Sequence, residues 1–259
     1  MIFRWSIWGE YKLKNIELLR YSIFSFKKQF GNGHQYIVYT DNIEHVSEYL
    51  CKAVDIRPFP TSEDSSFYTM SKATWLKWCP SSRLDISQTE FLVDSDVFLL
   101  KYPKEIDMFL SNPNMKFAVM DEYDGQPWQY GAMQRKVTKD TPFINAGLFI
   151  QKAGYSISSK LSTEFDWWKQ NIPEDEQTHH DEQGALAITL TDYLKRGELY
   201  ILPKNKYMLI GPNENKDMKD LSQITLFHAV YPDHPAFFKF KHSLDKVLNG
   251  QQESKQKHE

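Results

Sequence analysis

Two aspartates one residue apart, Asp94 and Asp96, stand directly after the apolar run Phe91-Leu92-Val93 and directly before Val97-Phe98-Leu99-Leu100. In extended chain, residues i and i+2 point to the same side. Two carboxylates so placed can hold one hard divalent cation and leave positions open for phosphate oxygens. A cation there would act as a Lewis acid on a departing phosphate. The rival reading of Asp94-Ser95-Asp96 is a turn or a helix cap. Acidic residues bracketed this tightly by apolar ones need a partner, however, because burying unpaired charge is expensive. A bound metal supplies one.

Other residues could complete such a site. His228 follows the short apolar run Leu226-Phe227, and imidazole is an accepted ligand for Mn²⁺, whereas Mg²⁺ favours an all-oxygen shell. The rival is a hydrogen-bonded core histidine. His234 and His242 read as surface or loop residues. Asp181 and Glu182 fall at the start of a helix pattern, where the dipole favours carboxylates. In the functional reading one of the two, Glu182 or Asp181, is the catalytic carboxylate that stabilises or attacks an oxocarbenium-like centre, and Asp181 is equally a candidate to contact the acceptor. Lys72, on the helix before the aspartates, and Arg83, in the loop that follows it, are candidates to offset a diphosphate's charge. Asn145 and Gly147 would let the chain approach a sugar, although a glycine inside a strand can instead mark a bulge. Trp128 and Tyr130 suit a lid or an acceptor platform, Trp168 suits the core, and Trp8 and Tyr11 suit the flanks of a base.

These residues need an α/β scaffold to bring them together. Ile2 to Trp8 reads as a strand stopped at Gly9. Ile16, Leu19, Ile23, Phe26 and Phe30 recur at helical steps, with Asn15 as the start and Gly31 as the stop. Tyr36 to Thr40 is a second strand, so the unit is βαβ with a right-handed crossover. An irregular connection from Pro58 and Pro60 leads to a helix over 68–79. A third strand, Phe91 to Val93, runs into the aspartates. In an open α/β sheet ligands bind beyond the carboxyl ends of the strands, which is where this pair falls. Further strands are predicted at Lys116 to Met120, Phe143 to Ile150, Leu199 to Leu202 and Ile224 to Phe227. Helices are predicted through Ile157, Leu161, Phe165 and Trp168, and from Asp181 through Leu194. The polar stretch from Gly125 to Thr141 shows neither period and is expected to be a mobile loop. Residues 1–249 form one predicted domain, and the polar residues 250–259 a disordered tail.

Around the aspartates the sequence resembles the D-x-D segment of GT-A-fold glycosyltransferases, on Phe91-Leu92-Val93-Asp94-Ser95-Asp96-Val97. The resemblance implies a mostly parallel Rossmann-like sheet flanked by helices. It implies that Asp96 binds metal directly and that Asp94 contacts metal, ribose or a metal-bound water, with Ser95 between them on the donor side. Val38-Tyr39-Thr40-Asp41-Asn42 is similar to the second-strand segment whose acidic residue helps hold the nucleoside. Phe143-Ile144-Asn145-Ala146-Gly147 is similar to the strand lining the sugar and acceptor pocket. His180-Asp181-Glu182-Gln183 resembles the helix start of retaining, blood-group-type members. Leu226-Phe227-His228 resembles the late histidine that completes the metal site in the glycogenin-like and bacterial galactosyltransferase branch. Transfer of a hexose from a UDP-sugar to a glycan or glycolipid hydroxyl, with Mn²⁺ or Mg²⁺ and with retention, is what this likeness implies. An inactive glycan- or nucleotide-binding relative is the first alternative. A sugar-nucleotide nucleotidyltransferase is the second, and it should carry a glycine-rich, arginine-containing loop after the first strand. Trp8-Gly9-Glu10-Tyr11-Lys12 has one glycine and no arginine.

Composition bounds the rest. The 259 residues are 41% hydrophobic and 15% aromatic, ample for a sizeable core. A formal net charge of −3 speaks against a broad nucleic-acid surface, which needs clustered positive charge. Cys51 and Cys79 have no metal-type spacing and form no disulfide framework, which fits a reducing, cytoplasmic setting. Met1 to Ser6 lacks the pattern of a signal peptide, and no apolar run approaches the roughly 20 residues that span a bilayer. Contact with a membrane is therefore expected only at its inner face, from outside the bilayer.

Overall fold

A computed structural model of the chain describes residues 1–9, 13–50, 54–60, 73–80, 82–122, 125–211, 221, 223–230 and 233–249. The predicted tail at 250–259, together with Tyr11, Lys72 and Cys51, lies outside the described residues.

Strand β1 (Ile2–Ile7) is followed by α1 (Leu13–Phe30) and β2 (Gln35–Thr40). The two strands pair in parallel, Phe3 opposite Tyr36 and Ile7 opposite Thr40, as the βαβ reading requires. Helix α1 stops at Gly31, whose φ of 81° and N–H bond to the Lys27 carbonyl at 2.8 Å make a left-handed cap that glycine adopts without a side-chain penalty. Helix α2 (Ile43–Tyr49) and strand β3 (Asp55–Pro58) come next. Neither was predicted. Strand β3 ends the sheet beside β2, a place that tolerates the missing N–H of Pro58 because an edge strand has an unpaired side.

The run Glu90–Val93 is therefore the fourth strand, β4, and Val97–Leu99 the fifth, β5. They are followed by α3 (Lys104–Ser111), β6 (Phe117–Asp121), β7 (Ile144–Gln151), α4 (Ser158–Asn171) and α5 (Asp181–Lys195). Strands β8 (Leu199–Leu202), β9 (Tyr207–Ile210) and β10 (Leu226–Ala229) and helix α6 (Pro235–Asn249) complete the order. Among the described residues the main sheet has seven strands, β3-β2-β1-β4-β7-β6-β8. Only β7 runs against its neighbours, β4 and β6. The smaller sheet is β5-β10-β9.

Alternation along the strands sends side chains to two buried faces. Phe3, Trp5, Phe91, Val93, Leu148 and Ile150 pack with Ile16, Leu19, Ile23 and Phe26 of α1. Ile2, Leu92 and Phe149 face Trp75, Phe165, Trp168 and the apolar side of α5. A fully buried apolar side chain contributes about 1.5–3 kcal/mol, so a sheet covered on both faces is held firmly. Among the described residues no helix is long and apolar enough to cross a membrane.

The segment Pro127–Arg135, predicted as part of a mobile loop, is instead 3-10 helical and kinked at Gly131. Gln129, Tyr130, Gly131, Ala132 and Met133 are all buried. Three-residue turns leave neither a 3.6 nor a 2.0 period in the sequence, so the pattern was silent.

A buried charge cluster anchors the amino end of β4. The Glu90 carboxylate is fully buried between Arg4 Nη1 at 3.0 Å and Arg83 Nε at 3.1 Å. Arg83 also donates to the carbonyls of Lys152, Asp85, Gln88 and Tyr155. Burial pulls its pKa down, and Glu90 opposes that shift. Breaking a buried pair by deleting one partner typically costs about 3–5 kcal/mol. Glu90→Ala is expected to lose stability on that scale in denaturant unfolding, and a loss below about 1 kcal/mol would show that the cluster is not a structural anchor.

Candidate active site

The two aspartates leave β4 in a turn. The Val97 N–H bonds the Asp94 carbonyl at 3.2 Å, and the Asp94 N–H bonds the Gly147 carbonyl at 2.8 Å. Their side chains thus converge through a turn and not, as predicted, through the alternation of an extended chain. Ser95 sits half-buried at its apex. From α1, the buried Ser22 hydroxyl fixes the turn by donating to the Val97 carbonyl at 2.6 Å, and itself accepts from Trp5 Nε1 at 2.9 Å.

Pairing in the small sheet brings in a residue far away in sequence. Strand β10 runs antiparallel to β5 with His228 opposite Val97, and the Ala229 N–H bonds the Asp96 carbonyl at 2.9 Å. Asp94, Asp96 and His228 consequently offer two carboxylate oxygens and one imidazole nitrogen, all within 4.8 Å of one another. His228 Nε2 lies 3.1 Å from Asp96 Oδ1. This donor set fits a divalent cation, and the imidazole suits Mn²⁺ better than Mg²⁺.

His234, predicted as a surface or loop residue, joins the cluster. Its Nδ1 is 2.7 Å from the Ala229 carbonyl and 3.1 Å from Asp96 Oδ2. Both neighbours accept, so Nδ1 carries the hydrogen. The chain reaches this position through left-handed backbone at Asp233 and His234, φ 60° and 49°. Burial works against the charge of Asp96, but His228 and then His234 outweigh it and hold its carboxyl well below the usual range. The same attraction lifts both imidazoles above their ordinary value against the pull of burial.

Lys77, a residue the sequence reading did not single out, is the buried cation beside the aspartates. It belongs to a 3-10 segment, Ala73–Trp78, ahead of β4. Its Nζ lies 2.9 Å from Asp94 Oδ1, 3.0 Å from Glu182 Oε1 and 3.2 Å from the Ala146 carbonyl. Burial opposes the ammonium, yet Asp94 and then Glu182 raise its pKa above the ordinary lysine value. Trp78 Nε1 donates to the other Glu182 oxygen at 2.8 Å. Burial pushes the Glu182 carboxyl up, Lys77 counters, and Asp94 adds to the rise. Arg4, which bonds the Lys77 carbonyl at 3.2 Å, ties this segment to the anchor beneath.

Arg83 is a correction. Its partner Glu90 opens β4, whereas Asp94 follows the strand's carboxyl end, so Arg83 stands at the wrong end of the strand to meet a donor phosphate. Asp181 is another. Its carboxylate is fully buried and accepts from the Ala132 N–H at 2.8 Å, Thr178 Oγ1 at 2.7 Å, Trp168 Nε1 at 2.8 Å and the Thr178 N–H at 2.9 Å. Nothing is left to offer an acceptor. Gly131, in left-handed backbone, is the residue that lets Asp181 in, since a Cβ there would lie 2.1 Å from Oδ1. Tyr130 is likewise no open platform. It is buried, its hydroxyl faces the Thr141 and Pro142 carbonyls, and burial pushes its pKa up to about 12. Trp128 is 58% exposed, its ring 5.1 Å from that of His180. Burial and His179 push His180 down to about 4, so it is neutral at physiological pH.

Asn145, Ala146 and Gly147 line the same place but look inward. The Asn145 amide meets His228 and Glu122, the Ala146 N–H donates to Gln183 Oε1 at 3.1 Å, and a Cβ on Gly147 would lie 2.5 Å from His228 Nδ1. The close approach that Gly147 permits is therefore that of the imidazole. Trp8 and Asp41 follow β1 and β2, on the same edge of the parallel strands as the aspartates. Asp41 is exposed and its Oδ2 accepts from the Gly9 N–H at 3.1 Å.

No protein-family model and no curated protein matches the sequence. Solved structures do match the fold. A galactosyltransferase, LgtC, solved with donor and acceptor sugar analogs, superposes with a TM-score of 0.59 over 96% of this chain and 96% of its own, at 12% identity. Mouse xyloside xylosyltransferase 1 gives 0.52 over 88% of this chain and 96% of its own, at 10% identity. The glycosyltransferase GlyE of Streptococcus pneumoniae gives 0.55 over 98% of this chain and 63% of its own, at 10% identity. The fold is that of the GT-A glycosyltransferases, as the resemblance implied.

A buried carboxylate with four donors is a structural clamp, and leaving its donors unpaired costs about 1–3 kcal/mol each. Asp181→Ala should therefore lower unfolding stability by at least about 2 kcal/mol while Mn²⁺ titration calorimetry stays unchanged. A variant of wild-type stability would overturn the clamp.

Proposed function

We propose that this chain is a metal-dependent glycosyltransferase that moves a hexose from a nucleoside-diphosphate sugar, UDP being the expected nucleotide, to a hydroxyl of a glycan or glycolipid. The observation that carries the reading is the joint placement of Asp94, Asp96 and His228 beside the Lys77–Glu182 pair, past the carboxyl ends of parallel strands in a GT-A fold. LgtC was solved with analogs of both a donor and an acceptor sugar, which supports a donor and an acceptor of that class here.

Asp94, Asp96 and His228 would hold the cation, which when bound stabilises the charge that develops on the leaving diphosphate. The remaining chemistry falls to the chain. The bond from the anomeric carbon to the phosphate oxygen breaks, the acceptor oxygen bonds to that carbon, and the acceptor's proton leaves with the nucleoside diphosphate. Glu182 supplies fixed negative charge to an oxocarbenium-like centre, where preorganised electrostatics act most strongly. Lys77 holds Glu182 and Asp94 in one geometry, so the acidic centre and the metal-side aspartate keep a fixed separation. Retention follows from the resemblance. Trp128 offers an exposed face for an acceptor sugar, and Trp8 and Asp41 border the nucleoside side.

Release of free nucleoside diphosphate from a panel of sugar donors, with Mn²⁺, Mg²⁺ or chelator, tests the reading. Turnover should require the divalent ion and be abolished in Asp96→Ala with the fold intact. Metal-independent turnover would exclude the assigned role of the aspartates, and binding without turnover would favour an inactive relative. Glu182→Gln should lower kcat by roughly 10²-fold or more with little change in donor affinity; a pure affinity loss would remove Glu182 from the catalytic set.

A further inference from the structure

Behind His228 stand Glu122 and Asn145, which have no part in the mechanism above, yet the hydrogen bonds of this chain fix the orientation of every member. The Gly147 N–H donates to Asn145 Oδ1 at 2.9 Å, and Asn145 Nδ2 donates to Glu122 Oε2 at 3.1 Å. Both contacts select the same face of the amide. A flipped amide would set N–H against N–H at Gly147 and oxygen against oxygen at Glu122. Gln183 steadies the arrangement: its Oε1 accepts from the Ala146 N–H, so its Nε2 faces Glu122 Oε2 at 3.3 Å and the Gln129 carbonyl at 3.2 Å.

His228 Nδ1 lies 2.9 Å from Asn145 Oδ1. With the oxygen fixed there, only an N–H fits. Nε2 faces Asp96 Oδ1 at 3.1 Å, an acceptor to which it donates while no cation stands between them; a cation there takes the Nε2 lone pair and leaves the ring hydrogen on Nδ1. Gly147 is required for this contact, because a Cβ would lie 2.5 Å from His228 Nδ1 and 2.9 Å from Asn145 Oδ1. The hydrogen bond made by one ring nitrogen decides which nitrogen is available to a metal.

We propose that Asn145, held by Glu122 and Gln183, is a positioning residue that fixes His228 as its Nδ1–H tautomer and so presents Nε2 to the cation. The proposal rests on reading Asp94, Asp96 and His228 as metal ligands, and it gives Asn145 a task other than touching sugar.

Two measurements on the full chain test it. Long-range ¹H–¹⁵N spectra of the protein loaded with diamagnetic Zn²⁺ should show His228 with its hydrogen on Nδ1 alone and Nε2 coordinated. Asn145→Ala should populate the other tautomer and weaken Mn²⁺ binding, titrated calorimetrically with the metal alone, by about 10–100-fold. Asn145→Asp keeps an oxygen against His228 Nδ1 and the Gly147 N–H, with a proton shared with Glu122 in place of the amide hydrogen, and should retain both tautomer and affinity. It also provides the test should the alanine variant not fold. A Zn²⁺-loaded wild-type ring protonated on Nε2, an alanine variant that leaves tautomer and affinity unchanged, or an aspartate variant that loses them, would overturn the relay. Equal Mn²⁺ affinity in wild type and Asp96→Ala would instead overturn the metal assignment, whatever the spectra show.

Discussion

Three carboxylates, Asp94, Asp96 and Glu182, share one water-poor place at the end of the sheet, and keeping them charged there is the constraint on which the rest depends. Taking a carboxylate out of water costs several kcal/mol even after relaxation. Lys77 answers that cost by bridging Asp94 and Glu182, and His228 and His234 answer it at the two oxygens of Asp96. A divalent cation held by two of the carboxylates would complete the balance, because positive charge at the ligands is what such a cluster lacks when nucleotide phosphate arrives.

The fold is arranged to make that concentration of charge tolerable. Asp94 and Asp96 leave a strand flanked by β1 and β7, Glu182 opens α5, and His228 arrives on β10 through the small sheet. No single segment carries the site, so its geometry is as rigid as the packing between these elements. Beneath it, Arg4 joins Glu90 to the carbonyl of Lys77, so the buried anchor at the amino end of β4 also holds the segment that presents the bridging lysine. Asp181 plays the corresponding part on the other side, fastening the 127–135 segment to the start of α5.

Much of this was legible in the residues. Acidic side chains enclosed by apolar ones led to Asp94 and Asp96, and the strand–helix–strand rhythm led to the parallel sheet. The same criterion applied to Trp75-Leu76-Lys77-Trp78-Cys79 finds Lys77, a cation inside an apolar run, whereas nearness in sequence pointed to Arg83, which stands at the strand's amino end. His234 left no such signal, since it reaches Asp96 only through left-handed backbone at two non-glycine residues. The 127–135 segment was hidden because its order comes from tertiary hydrogen bonds and not from a periodic apolar face. Asp181 and Glu182 are adjacent and chemically alike, and only the direction each leaves the helix separates a clamp from a charge facing Lys77.

Anomalous diffraction at the manganese edge, from crystals grown with Mn²⁺ and UDP, bears most directly on the central claim. One strong peak is expected within coordination distance of Asp94, Asp96 and His228 Nε2, with the diphosphate on its open side and Lys77 still beside Glu182. A nucleotide bound elsewhere, or a cluster whose carboxylates meet only Lys77 and the two histidines at saturating Mn²⁺, would contradict it.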